Sequence, residues 1–100
     1  MNKPQLLEKY QLFIGGQWRD ASDGATFTTK CPANGEVLAS CAQATRSDVD
    51  DAVNAAWKAF ETWKHVPACE RAAILNKIAD IIDANTEHLA MVESLDNGKP

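Results

Sequence analysis

The sequence predicts an α/β chain of two small β-hairpins followed by two or three α-helices. Three observations carry that expectation. Residues 11–42 hold short β-branched and aromatic runs broken by Gly15-Gly16 and by Pro32-Ala33-Asn34-Gly35. From Ser47 onward the apolar period changes from two to 3.6. Helix-boundary chemistry then recurs, with starts at Pro67 and Asn85 and a stop at Gly98.

Residues 1–10 read as a polar arm. Leu12-Phe13-Ile14, Gly15-Gly16 and Gln17-Trp18 read as the first hairpin, two apolar runs joined at a glycine pair. Asp20-Ala21-Ser22-Asp23-Gly24 is loop chemistry. Thr26–Thr29 and Glu36–Cys41 form the second hairpin around the proline-containing turn. Ser47 is the expected cap of the first helix, with Asp48 and Asp50 suited to its positive end. Val49, Val53, Ala56, Phe60 and Trp63 recur at steps of 4, 3, 4 and 3, a single apolar stripe. Pro67 suits the first turn of a second helix over about 68–84, where Ala72, Leu75, Ile78, Ala79 and Ile82 form one face and Ile74 and Ile81 another. A helix apolar on two sides belongs between layers, and two hairpins offer little to cover both. Asn85 is the expected cap of a third helix carrying Leu89, Val92 and Leu95.

Composition narrows the function classes. One hundred residues, 45 % apolar and 24 % charged, describe one globular unit with room for a modest core. A net charge of −4 with scattered basic residues argues against a nucleic-acid partner. No stretch of 18 apolar residues occurs, so no membrane-spanning segment is expected. The first ten residues lack a secretory h-region and carry Glu8 but no arginine, which disfavours a transit peptide. Three cysteines without CxxC spacing read as reduced thiols, so the cytoplasm is the expected compartment.

Catalytic constellations are sparse. Gly15-Gly16 has no helix after it to receive a phosphate. His65 and His88 have no partner at ligand spacing and read as surface or interface residues. Cys31, Cys41 and Cys69 read as structural, although Cys69 at a helix start is the least inert position. Trp18, Trp57 and Trp63 sit where core or interface packing is expected.

The chain closes on Glu93-Ser94-Leu95-Asp96-Asn97-Gly98-Lys99-Pro100, and a helix-opening proline at the end is expected of a polypeptide that continues. That string resembles the E-T/S-x-D-N/T-G-K-P signature of the NAD(P)-dependent aldehyde dehydrogenases. Phe13-Ile14-Gly15-Gly16-Gln17-Trp18 resembles the family's F-I-x-G-x-W opening, and 27–36 resembles its F-x-T-x-N-P-A-T/N-G-E turn. Asp48-Val49-Asp50, Ala52-Val53, Ala55-Ala56, Ala59-Phe60 and Trp63 are similar to its first helix; Arg71-Ala72, Leu75 and Ile78-Ala79-Asp80 are similar to its second. Lys30-Cys31 departs from it, since the family more often has an apolar residue and then Asn there.

The resemblance implies the N-terminal portion of an aldehyde dehydrogenase fold: an arm over 1–10, hairpins over 11–42 and helices over 47–97, all belonging to the cofactor-binding domain. It implies an enzyme oxidising aldehydes to carboxylic acids with NAD or NADP, and a homo-oligomer. Its nucleophilic cysteine, its glutamate and its cofactor contacts fall beyond residue 100, so no catalytic or cofactor-binding residue is assigned. It also implies a structural Na⁺ or K⁺ ligated by the backbone carbonyls of Thr29 and Lys30 and by the Asp96 carboxylate. The competing reading of Asp96 is a cap of the helix-ending loop. A non-catalytic assembly module and the remnant of a gene truncation also stay open as readings of the chain.

Overall fold

A computed structural model describes residues 4–100. Five strands precede three helices: β1 Lys9–Tyr10, β2 Leu12–Ile14, β3 Gln17–Arg19, β4 Thr26–Lys30, β5 Val37–Ala42, α1 Arg46–Trp63, α2 Ala68–Ala84 and α3 Thr86–Asn97.

The first hairpin forms where turn chemistry places it. Leu12 pairs with Arg19 and Phe13 with Trp18, and Gly15 and Gly16 take φ of 60° and 80°. Two consecutive left-handed residues are what a two-residue turn needs to match strand twist, and glycine alone does this without steric cost. The second hairpin pairs Phe27 with Cys41 and Thr29 with Ala39, with an irregularity between Thr29 and Lys30 that sets Lys30 opposite Val37. Its turn is closed by Gly35 N–H to the Cys31 carbonyl at 2.8 Å, and Asn34 Oδ1 accepts from Glu36 N–H at 3.0 Å.

The arm is more than a polar tail. Lys9 and Tyr10 pair in parallel with Ser40 and Cys41, giving a three-stranded sheet in the order β1-β5-β4. An ionic clasp supports the pairing: Asp20 accepts from Lys9 Nζ at 2.8 Å and from Gln11 Nε2 at 2.9 Å. Those two hydrogen bonds hold the Asp20 carboxyl below its ordinary value. Residues 1–3 of the expected arm lie outside the described residues.

The start of α1 corrects the expectation. Thr45, not Ser47, is the N-cap, and Asp48 completes the reciprocal box that Asp50 does not. Thr45 Oγ1 accepts from Asp48 N–H at 3.2 Å, and Asp48 Oδ2 accepts from Thr45 N–H at 2.9 Å. The cap must lie three residues before the box acid, and only Thr45 does so for Asp48. Removing the Thr45 hydroxyl costs about 1 kcal/mol on that basis.

The helix over 68–84 runs where expected, with Pro67 at the N-cap position (φ −56°, ψ 146°) and not in the first turn. Asn85 sits between α2 and α3, but its side chain turns back to donate to the Ile81 carbonyl at 2.8 Å. It therefore closes α2 and gives no side-chain cap to α3. Gly98 ends α3 with φ 77°, and its N–H donates to the Ser94 carbonyl at 2.9 Å.

The expected core is barely present. Among the described residues the buried apolar ones are Ala21, Cys31, Ala39 and Ala42, all small. The radius of gyration is 17.0 Å against about 13 Å for a compact domain of this length. Accessible surface is 7994 Å², where a compact monomer of this size exposes about 5,600 Å². The α1 stripe is open, with Val49, Val53, Phe60 and Trp63 each about half-exposed, and so are both faces of α2 at Ile74, Leu75, Ile78, Ile81 and Ile82. Trp18 packs at a tilt against Phe13 with ring centroids 4.8 Å apart and Trp57 meets Phe60 edge-on at 5.8 Å, yet both tryptophans stay about two-thirds exposed. Amphipathic periodicity shows which face wants cover; it does not show that this chain supplies it.

Candidate functional site

The end of β4 and the end of α3 meet although they are 67 residues apart. Thr29 Oγ1 donates to Asp96 Oδ1 at 2.5 Å, a charge-assisted contact at the short end of its range. Two residues on, Gly98 comes so close to Pro32 that a Cβ at position 98 would lie 3.3 Å from the proline Cβ. Close approach and a left-handed φ together demand glycine there. Gly98→Ala is therefore expected to lower stability by about 1 kcal/mol or more, read as a lower midpoint in a urea melt. An unchanged midpoint would show that the loop simply moves away from Pro32.

Of the three expected cation ligands, the structure brings Thr29 and Asp96 together directly. Lys30 follows Thr29 across the irregularity in β4, and its exposed side chain forms no ion pair among the described residues. The contact with Asp96 is made by the Thr29 hydroxyl, and it sets the end of β4 against the end of α3. Asp96 lies in the last turn of α3, where the helix carbonyls carry partial negative charge and no basic residue compensates. Its Oδ2 accepts no hydrogen bond from the described residues. A carboxylate with a spare oxygen at a helix C-terminus is a hard-oxygen donor of the kind a weakly charged cation takes. A groove of about 580 Å³ opens beside it between sheet and helices, lined among others by Tyr10, Thr29, Cys41, Glu93 and Asp96.

The remaining candidates stay apart. Cys31 is buried beside the second turn, Cys41 is half-buried on β5, and Cys69 is exposed at the start of α2; none forms a disulfide. Gly15 and Gly16 form the hairpin turn, with Gly15 packed towards Ala55 of α1 and no helix opening behind it. No cluster of three or more His, Cys, Asp or Glu side chains suited to a metal ion occurs among the described residues. No described helix is long and apolar enough to cross a membrane.

Sequence reasoning assigned Asp48 only a helix-dipole role, and the structure gives it far more. It is fully buried. Both its oxygens accept from Ser22 N–H, at 3.2 and 3.0 Å, and Oδ2 accepts from Thr45 N–H at 2.9 Å. Arg19 Nη2 donates to Oδ1 at 3.0 Å and to Asp51 Oδ2 at 3.0 Å. The Thr45 and Ser22 backbone N–H groups, with Arg19 adding its charge, overcome desolvation and hold the carboxyl at about 2. One side chain thereby fastens β3, the 20–25 loop and α1 together. The Thr45-x-x-Asp48 spacing was the available signal; Ser22 and Arg19 lie too far away in sequence to be read.

Two hairpins, a parallel-paired arm and three helices with exposed apolar faces make a mixed α/β arrangement. The family model described as "Aldehyde dehydrogenase family" matches residues 18–100. A curated relative, "Aldehyde dehydrogenase family 2 member C4" of Arabidopsis thaliana, is 48 % identical over 91 residues, 89 % of this chain and 18 % of that protein. The human "Aldehyde dehydrogenase, mitochondrial" is 43 % identical over 93 residues, 90 % of this chain and 18 % of that protein. The crystal structure of an NAD-dependent aldehyde dehydrogenase from Sinorhizobium meliloti superposes with a TM-score of 0.90 at 39 % identity, covering 95 % of this chain and 20 % of that one. The chain belongs to the aldehyde dehydrogenase family. It spans about a fifth of the length of the relatives it matches.

Proposed function

We propose that these residues open the cofactor-binding domain of an enzyme that oxidises aldehydes to carboxylic acids with NAD or NADP. The family match over 18–100, with the segments in family order, is the observation that carries this reading. In it the open faces of α1 and α2 are surfaces on which the rest of the enzyme lies, which accounts for their exposed valines and isoleucines. The enzyme acts as a homo-oligomer in the cytoplasm, on a small-molecule aldehyde and without nucleic acid or membrane. A structural Na⁺ or K⁺ bound by the Thr29 and Lys30 carbonyls and by Asp96 pins the second hairpin to α3 and neutralises the carboxylate at the helix end.

Nothing in residues 4–100 activates a nucleophile or cradles a phosphate. On this reading catalysis belongs to the whole polypeptide. The test is formation of reduced nicotinamide from a panel of small aldehydes, with NAD⁺ and NADP⁺ supplied separately. The whole polypeptide is expected to reduce at least one cofactor, and residues 1–100 alone to reduce neither. Failure of the whole polypeptide with every aldehyde would overturn the reading.

A further inference from the structure

We propose that the Thr29 hydroxyl is a positioning group for the cation site: it holds Asp96 Oδ1 at the end of β4 and so presents Oδ2 to the ion. This rests on the cation reading above and extends it, since that reading gives Thr29 only a backbone carbonyl. The 2.5 Å contact is the one side-chain hydrogen bond between the second hairpin and α3 among the described residues. It engages one carboxylate oxygen and leaves the other unpartnered. Asp96 is exposed and ends a helix, so without the hydroxyl its carboxylate would sample several rotamers and lean away from the negative helix end. Holding it against that field before the ion arrives lowers the ordering cost of binding. Lys30 cannot take over this role, because an ammonium would compete with the ion for the carboxylate. Its side chain makes no such contact.

Thr29 offers its carbonyl from the strand and its Oγ1 from the side chain, so one residue sets both halves of the donor set. Valine has the same shape and no donor. Serine keeps the donor and loses only a methyl group.

The experiment uses the full-length enzyme that carries this segment. Melting temperatures are followed while KCl, and separately NaCl, replaces tetramethylammonium chloride at constant ionic strength. The wild type is expected to show a saturable rise, the mass-action signature of an ion bound only by the folded state. Asp96→Ala should abolish the rise. Thr29→Val should move its midpoint to about tenfold higher cation concentration, equivalent to about 1.4 kcal/mol, and Thr29→Ser should restore it. The midpoint is read against each variant's own melt in tetramethylammonium, so a general loss of stability does not imitate the shift. Thr29→Ala gives the same reading if the valine variant does not fold. A wild-type midpoint in Thr29→Val, or a tenfold shift that serine fails to restore, overturns the positioning role and leaves the cation site standing. A wild type with no preference among the salts overturns both, and the Thr29–Asp96 contact is then only a clasp between hairpin and helix.

Discussion

Residues 1–100 expressed alone are expected to melt without a sharp cooperative transition and to self-associate. Seventeen large hydrophobic side chains among the described residues are more than a third exposed, including five on α2 and five aromatic or β-branched residues on α1. Each such side chain is worth about 1.5–3 kcal/mol when fully buried. A domain's whole stability is only about 5–15 kcal/mol, so a few of them left wet exceed the margin. The buried apolar set of three alanines and Cys31 cannot compensate. The hairpins and helices form by local chemistry, so far-ultraviolet dichroism should show helix while amide resonances stay poorly dispersed. The outcome that sinks this expectation is a monomer by light scattering with a single two-state urea transition. On the proposed reading the full-length enzyme should show the transition, because the rest of its polypeptide would cover the same faces.

Replacement of Asp48 should be the most damaging polar substitution in the segment. The side chain is fully buried and accepts hydrogen bonds from Ser22, Thr45 and Arg19, so truncation to alanine orphans two backbone N–H groups and one guanidinium at once. Removing one partner from a buried charged network costs more than losing a neutral cap. Asp48→Ala should therefore destabilise the full-length protein more than Thr45→Ala, and both more than Asp51→Ala, whose carboxylate is half-exposed. Acid sharpens the test. The folded-state carboxyl titrates at about 2 against an ordinary 3.8, so its contribution is fully present above about pH 4. That contribution is lost as pH falls towards 2, because the unfolded chain's carboxyl, with the higher pKa, takes up its proton first and acid favours the unfolded chain more and more. Asp48→Asn keeps the shape but cannot carry the charge, so the stability gap between it and the wild type should narrow steadily from pH 4 to pH 2. A gap independent of pH would mean that shape, not charge, is what Asp48 supplies.

The two predictions depend on features of different legibility. The Gly15-Gly16 turn, the 68–84 helix and the Gly98 stop could all be read from a few adjacent residues. Turn dihedrals, a 3.6-residue period and the left-handed C′ position are properties of the local chain, and neighbours alone settle them. The family likeness was legible for the same reason, since it rests on short strings in a fixed order. The α1 cap was half-legible. Thr45-x-x-Asp48 is a local spacing, but Ser47 offered an equally good cap until Ser22 and Arg19 selected Asp48 as the anchor.

Other features depend on residues far apart in the chain, and folding alone brings them together. Lys9 and Tyr10 are too polar and too few to announce a strand, and they become one because β5 presents an edge and Asp20 a charge. Thr29 acquires a side-chain role only where α3 delivers Asp96 to it. The apolar stripes of α1 and α2 were visible as patterns, but whether they lie buried depends on what stands opposite, which no periodicity encodes. Local order is set by dihedral preference and hydrogen bonds between near neighbours. Burial, charge networks and oxygen-lined ion sites are set by distance in space, and a linear reading has no measure of that.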